Sequence, residues 1–369
     1  MHSRSRNLER HNSTLRSLAQ RAWLTGLAGW VVSGARVSAS VDGPSPTPSL
    51  LNPASTPAQD IYHLSLFVMA TCLGIFVVVF SLIVYSAIKY RKKATDDDSE
   101  PPQIYGSKPI EVAWTVAPAL IVFTLVLVTT RTVWEVEAPP PEPAEGDHAL
   151  FVTAVGKQWW WEYTYDHYDG RPLTFITANE LHVPASSAET TRRIYLTLQS
   201  ADVCHSFWVP RLAGKTDLIP GQTNHMWFET RDHGLFVGQC AEYCGTQHAG
   251  MLLRVVVDEP EAFDRWLAAQ AEEAAEVPAA AEGRAAFLAE SCVNCHRVRG
   301  TPAHGGYAPD LTHLMSRETL ASGLVPNDPE NLRRWVMDPQ QIKSGCLMPA
   351  FGLEAEKRER IVDYLLSLQ

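Results

Sequence analysis

The second half of the chain has no cluster of lysines and arginines of useful size, and the formal net charge is −10. Nucleic-acid binders carry basic patches, so this balance argues against that class. There is no internal repeat, which sets repeat architectures aside. Nor is there a disulfide framework. Of seven cysteines, Cys240/Cys244 and Cys292/Cys295 form two tight pairs, while Cys72, Cys204 and Cys346 are scattered. Cysteine pairs beside histidines point to metal or haem instead. What is present is 369 residues, enough for two or three domains. The 46% hydrophobic and 20% charged residues are ordinary for a globular protein, but the apolar ones are unevenly spread.

Arg4, Arg6, Arg10, Arg16 and Arg21 precede a short apolar stretch, Ala22 to Val32, and then Val37-Ser38-Ala39-Ser40. The pattern predicts a secretory signal peptide over residues 1–40, the alternative being a disordered tail. Leu64 to Ile88 is an uncharged apolar run of about 25 residues, and Val112 to Thr130 is one of about 19. Buried soluble helices rarely run so long without a charge, so both are expected to span a membrane. This gives a hairpin over residues 41–137, with helices at about 61–88 and 110–130. Lys89, Arg91, Lys92, Lys93 and Lys108 flank its short loop and place that loop in the cytoplasm, with both chain ends outside; the loop's four acidic residues weigh little in the rule.

After the proline-rich stretch Ala138 to Pro143, residues 145–258 read as an all-β sandwich. Short alternating or β-branched runs such as Arg193 to Leu198 and Leu252 to Val257 are separated by Gly, Pro and Asn turns. Residues 259–282 read as a helix rich in Ala and Glu followed by a linker, and 283–369 as helical runs joined by Gly/Pro loops.

The densest chemistry lies in Cys240-Ala-Glu242-Tyr-Cys244-Gly-Thr-Gln-His248-Ala-Gly-Met251. Thiolates, an imidazole and a thioether select a soft metal, and His205, from an earlier β segment, adds a second imidazole. Zinc would also accept Cys and His, but a thioether is a poor zinc ligand and a usual axial copper ligand. A single blue-copper site needs one cysteine, whereas two cysteines four apart can bridge a pair of coppers. Cys292-Val-Asn-Cys295-His296 is the attachment pattern for a c-type haem, and positions i, i+3 and i+4 would share a helix face. Met348 precedes a proline, whereas its rivals Met315 and Met337 do not. Two further residues are open on position alone. Trp159 sits in a run of three tryptophans that could be plain core. Glu111 at the start of the second membrane helix is either a functional ionisable group or a carboxylate favoured by the helix dipole.

The copper motif closely resembles that of cytochrome c oxidase subunit II, the CuA-containing subunit of haem–copper oxidases. The resemblance extends over about residues 50 to 257 and includes Leu51-Asn-Pro-Ala-Ser, Glu111-Val-Ala-Trp114-Thr-Val-Ala-Pro118 and Gly156-Lys-Gln-Trp159-Trp160-Trp161-Glu-Tyr163. Trp160 stands where the family usually has Tyr. About residues 280 to 369 resemble a cytochrome c, with Gly283 to Phe287 as first helix and Gly345-Cys-Leu-Met348-Pro349 as methionine loop. The expected fold is therefore multidomain: a two-helix transmembrane hairpin, an all-β cupredoxin-like sandwich and an all-α c-type cytochrome domain.

By this resemblance the ligands of a dinuclear copper centre are His205, Cys240, Cys244, His248, Met251 and the backbone carbonyl of Glu242. The Glu242 carboxylate would reach a magnesium ion shared with subunit I. Cys292, Cys295, His296 and Met348 would hold covalent haem c, Trp159 would be the point where electrons reach copper, and Glu111 would lie at the mouth of a proton channel. The chain would then serve a respiratory terminal oxidase in the inner (plasma) membrane, multi-pass, with its copper and haem domains on the periplasmic or extracellular side. Electrons would come from a cytochrome c or a quinol–cytochrome c reductase, pass from haem c to copper and on to haem a in subunit I, where oxygen is reduced with proton pumping. Subunit III and membrane lipid are the other expected partners. The rival oxidoreductase reading is a copper-containing nitric oxide reductase subunit. A copper chaperone would need neither Met251 nor the haem motif, and a quinol oxidase subunit would lack the copper ligands. Cys72, Cys204 and Cys346 are expected to be unligated apolar fillers.

Overall fold

A computed structural model describes residues 47–93, 100, 102–137 and 148–369. The expected signal peptide, the acidic part of the hairpin loop and the proline-rich exit lie outside the described residues. Helix α1 spans Thr56–Lys89 and α2 spans Lys108–Glu137. Each is longer than its apolar run. At about 1.5 Å per residue, α1 outreaches the roughly 30 Å hydrocarbon core, so its ends continue into water. Its start is set by local chemistry: the Ser55 side chain accepts from the Ala58 N–H at 3.2 Å, with a proline in the first turn. Large apolar side chains such as Phe76, Phe80, Phe123 and Trp114 are exposed on these helices, as a lipid-facing surface requires.

The segment leading into α1 is anchored to the β domain. Ala54 N–H donates to Arg211 O at 2.8 Å, Arg211 Nε donates to Asn52 O at 2.9 Å, and Ser55 Oγ donates to Leu212 O. The Leu51 to Ser55 stretch therefore ties the membrane hairpin to the outer domain.

Ten strands follow: β1 (Leu150–Lys157), β2 (Trp160–Tyr168), β3 (Arg171–Ala178), β4 (Glu180–Pro184), β5 (Ile194–Ser200), β6 (His205–Trp208), β7 (Thr216–Leu218), β8 (Asn224–Phe228), β9 (Gly234–Cys240) and β10 (Leu252–Asp258). They form two five-stranded sheets, β3-β2-β1-β5-β8 and β4-β10-β9-β6-β7. Alternation of burial along β1, along β2 as far as Asp166 and along β10 turns one face of each strand inward. Trp161, Tyr163, Tyr165, Phe207 and Phe236 fill the space between. Helix α3 (Pro260–Ala271) closes the end of the sandwich with buried Phe263 and with Trp266, stacked on His182 at 4.4 Å.

The C-terminal part consists of α4 (Ala281–Ala289), α5 (Cys292–Cys295), a short hairpin of β11 (Thr319–Leu320) and β12 (Val325–Pro326), α6 (Pro329–Met337) and α7 (Ala355–Leu366). Its core includes Phe287, Leu332, Ile361, Val362 and Tyr364. Gly283 explains why α4 crosses α7 so closely: a Cβ there would lie 2.0 Å from the Arg360 carbonyl oxygen. The α5 helix differs from expectation. It is a single turn that ends at Cys295, and His296 follows in extended conformation (φ −97°, ψ 147°) rather than on the helix face. Its backbone N–H still caps the turn on Cys292 O.

Candidate functional site

Strand pairing assembles the first donor set. β6 pairs with β9 so that Phe207 lies opposite Cys240, which brings His205 beside the end of β9. The chain then loops from Ala241 to Met251 and re-enters as β10. Two backbone bonds close this loop at its base, Cys240 N–H to Met251 O at 2.9 Å and Ala241 N–H to Ser206 O at 3.0 Å. The two Sγ atoms of Cys240 and Cys244 stand 3.8 Å apart, far beyond the roughly 2.05 Å of a disulfide. His205 Nδ1 is 3.9 Å from Cys240 Sγ, His248 Nδ1 is 3.7 Å from Cys244 Sγ, and Met251 Sδ is 3.9 Å from Cys244 Sγ. Glu242 contributes its carbonyl oxygen, 3.2 Å from Cys240 Sγ. All six residues expected at copper therefore converge on one spot, with His205, Cys240, Cys244 and Met251 buried and Glu242 and His248 half-buried. Two thiolates, two imidazoles, a thioether and a carbonyl are a soft, nitrogen-and-sulfur donor set that fits a copper pair.

Two residues that the motif does not contain shape this set. Gly156 gives the His205 ring its room, since a Cβ there would fall 2.8 Å from Cδ2. Asp202 Oδ1 accepts from His205 Nε2–H at 2.8 Å, which turns Nδ1 toward the sulfurs. Burial alone would pull the His205 pKa down, but Asp202 and Cys240 together push it up. Burial likewise pushes Asp202 up, yet its bonds with His205, Val203 N–H and Gln158 N–H hold it below the usual carboxylate range. The thiols titrate as a pair: their mutual contact pulls Cys240 well below the ordinary thiol range and pushes Cys244 far above it. The only advance sign of Asp202 was its place three residues before His205 on the same turn.

The second donor set lies in a cavity with an empty volume of about 1250 Å³, counting its open mouth. Cys292, Cys295, His296 and Met348 all line it. His296 Nδ1–H donates to Pro309 O at 2.8 Å, which leaves Nε2 for a metal. Burial lowers the His296 pKa, so the ring is held as the neutral ligand form. The Met348 loop is fixed by Gln340, whose Nε2 donates to Met348 O and to Cys346 O, both at 2.9 Å. Apolar side chains such as Leu314, Leu332 and Val336 make up much of the wall, and Arg317 supplies a cation suited to a carboxylate-bearing macrocycle. Two neighbouring thiols, an imidazole, a thioether and a largely apolar slot that also holds cationic side chains fit covalent haem c. Of the rival methionines, Met337 is 42% exposed and Met315 packs against the domain core. Neither lines the cavity.

Trp159 joins the two sets. It lines the cavity, is buried, and its indole Nε1–H donates to the carbonyl of the copper-loop residue Cys244 at 2.9 Å. Gln158 and Trp160 line the same cavity, so the sandwich forms part of its wall.

The remaining expected residues have less specific surroundings. Glu111 lies in the first turn of α2, where its carboxylate accepts from Ser107 N–H at 3.2 Å, a helix-start contact. The Glu242 side chain is half-buried beside the copper loop. Cys346 lines the haem cavity, Cys204 is exposed and so is not a filler, and Cys72 lies on the lipid-facing surface of α1.

Comparison with known proteins agrees with this layout. Residues 44–131 match the family described as cytochrome c oxidase subunit II, transmembrane domain, and residues 150–259 match cytochrome c oxidase subunit II, periplasmic domain. Residues 280–369 match the cytochrome c family. The chain is 36% identical to cytochrome c oxidase subunit 2 of Alkalihalophilus pseudofirmus, over 86% of this chain and 90% of that one. It is 32% identical to the same subunit of Bacillus sp. (strain PS3), over 76% and 80%, and 29% identical to that of Bacillus subtilis, over 87% and 92%.

Proposed function

The chain belongs to the cytochrome c oxidase subunit II family, carries a C-terminal cytochrome c domain and partners subunit I in a haem–copper oxidase complex, and from that premise we propose that it relays electrons from haem c to a dinuclear copper centre and on to haem a of subunit I for oxygen reduction coupled to proton pumping. Bound copper and haem supply reversible one-electron chemistry, and the protein supplies everything that fixes where it happens. His205, Cys240, Cys244, His248, Met251 and the Glu242 carbonyl hold the copper pair. Cys292 and Cys295 would tether the macrocycle, and His296 and Met348 would ligate its iron. The observation that carries the reading is Trp159, which touches the haem cavity with its ring and the copper loop with its N–H.

Trp159 is accordingly the residue through which electrons reach the copper side. The Glu242 carboxylate, half-buried beside the loop, would reach a magnesium ion shared with subunit I, and Glu111 would lie at the mouth of a proton path into subunit I. A cytochrome c or a quinol–cytochrome c reductase is the electron donor, and subunit III completes the assembly. The purified chain is expected to bind two coppers and one haem, with a mixed-valence copper electron-resonance spectrum. One copper per chain, or preferential retention of zinc, contradicts the reading.

In this reading the two apolar helices form a hairpin and both outer domains lie on the periplasmic side. Lys89, Arg91, Lys92, Lys93 and Lys108 flank the loop between the two apolar helices, and such residues stay in the cytoplasm. A reporter active only after export should be silent when fused after Lys93 and active when fused after Asp258. The reverse pattern would refute the topology.

A further inference from the structure

The cytochrome domain is seated on the sandwich by a few polar contacts, and one of them is unlike the rest. Glu180 of β4 accepts from Glu318 N–H at 2.9 Å and from Thr319 Oγ1 at 2.6 Å. Gln247 Nε2 donates to Ser344 O at 2.5 Å, and Leu252 N–H donates to Ser322 O at 3.3 Å. Glu180 is itself buried, but its charge is paired with Arg254 of the neighbouring strand at 3.2 Å, and the other two are rim and backbone contacts. Lys343 is different because its side chain is only 3% exposed and is bonded to backbone carbonyls alone, on the stretch of chain that leads to Met348.

Its ammonium donates to Trp159 O at 2.7 Å, to Gly250 O at 2.8 Å and to Ala321 O at 2.9 Å. The first carbonyl belongs to the tryptophan between the two centres. The second immediately precedes the copper-loop residue Met251, and the third is at the tip of the β11–β12 hairpin. An ammonium has three donors and no acceptor, so this set satisfies it completely. Burying an ion is strongly unfavourable unless it is fully hydrogen-bonded. Only one seating of the cytochrome domain offers these carbonyls together, because two come from the sandwich and one from the cytochrome domain itself. Any shifted seating leaves either a buried unpaired cation or orphaned carbonyls around Trp159.

We propose that Lys343 is a positioning residue: its ammonium locks the Met348 loop to the backbone of Trp159 and of the copper loop, so that electrons cross between the centres from one fixed docked geometry. The proposal rests on the relay reading above. It differs from a simple tether, in which the cytochrome domain swings on residues 272–277 and meets the copper side by repeated encounter. In the locked form, transfer does not wait for domain motion. In the tethered form it does, and the rate then depends on solvent viscosity.

The test uses the assembled oxidase with both centres loaded, with parent, Lys343→Met and Lys343→Arg compared. The haem is reduced by a flash and the reduction of copper is followed in dilute buffer and in glycerol. In the parent, transfer is expected in a single phase whose rate is the same in both solvents. Lys343→Met is expected to keep both spectra but to transfer several-fold more slowly than the parent, in several phases that slow further in glycerol. Lys343→Arg keeps the charge but not the point-like geometry, and should show a smaller loss with the same glycerol dependence. A Lys343→Met variant with the parent rate and no glycerol dependence overturns the proposal. So does loss of either spectrum in that variant, since Lys343 would then build a centre rather than place it. If Lys343→Met does not assemble, glycerol-independent transfer in Lys343→Arg at the parent rate overturns it equally. Absence of haem-to-copper transfer in the parent itself would instead sink the relay reading, and is seen before any variant is compared.

Discussion

Replacing Trp159 by Gln is expected to leave the haem and copper spectra intact and to slow haem-to-copper transfer by roughly tenfold or more, the equivalent of about 1.4 kcal/mol on the barrier. The spectra should survive because no ligand is removed. Gln also carries an N–H donor that can reach the Cys244 carbonyl, which the indole occupies at 2.9 Å, and neighbouring Gln158 already donates to the same oxygen at 2.7 Å. What disappears is the aromatic ring lining the haem cavity beside that carbonyl. Flash-induced transfer at the parent rate in this variant would show that electrons reach copper elsewhere, with Trp160 the nearest aromatic alternative on the same cavity wall.

Replacing Met348 by Ala should act on the other centre alone. A Met/His axial pair raises the haem potential, so its loss should lower that potential by on the order of 0.1 V or more, within the roughly 0.8 V span that axial ligands set. Gln340 holds the Met348 carbonyl rather than its side chain, so the loop keeps its backbone contacts when the thioether is removed. The copper electron-resonance spectrum should not change. An unchanged haem spectrum would mean that another side chain is the sixth ligand, and a changed copper spectrum would mean that the two sites are not separable.

The architecture was legible because each part of the sequence has its own period: long uncharged runs, then short alternating ones, then amphipathic helical ones. The copper donors were legible because five of the six lie within one twelve-residue stretch. His205 could be joined to them because a paired strand could deliver it, as the β6–β9 ladder does. Three things were not legible. Helix periodicity carried His296 onto the face of α5, whereas the helix stops after one turn and the histidine is oriented by Pro309 from a later loop. The residues that aim the ligands, Asp202, Gln340 and Pro309, carry no motif, because their role exists only once distant segments meet. Finally, the cytochrome domain carries no long charge run that would tell how it is held. The structure instead seats it through Glu180, Gln247 and the buried Lys343, single residues that composition does not reveal.

The central claim is that both redox centres of the relay belong to one chain and exchange electrons within it. Tethering alone holds the partners near millimolar effective concentration, far above any assay concentration. Flash reduction of the haem in the purified oxidase, followed by copper reduction over a wide dilution series, tests this directly. The account predicts a first-order rate that does not change with protein concentration. A rate that falls in proportion to dilution, or haem that stays reduced while copper stays oxidised, would contradict it.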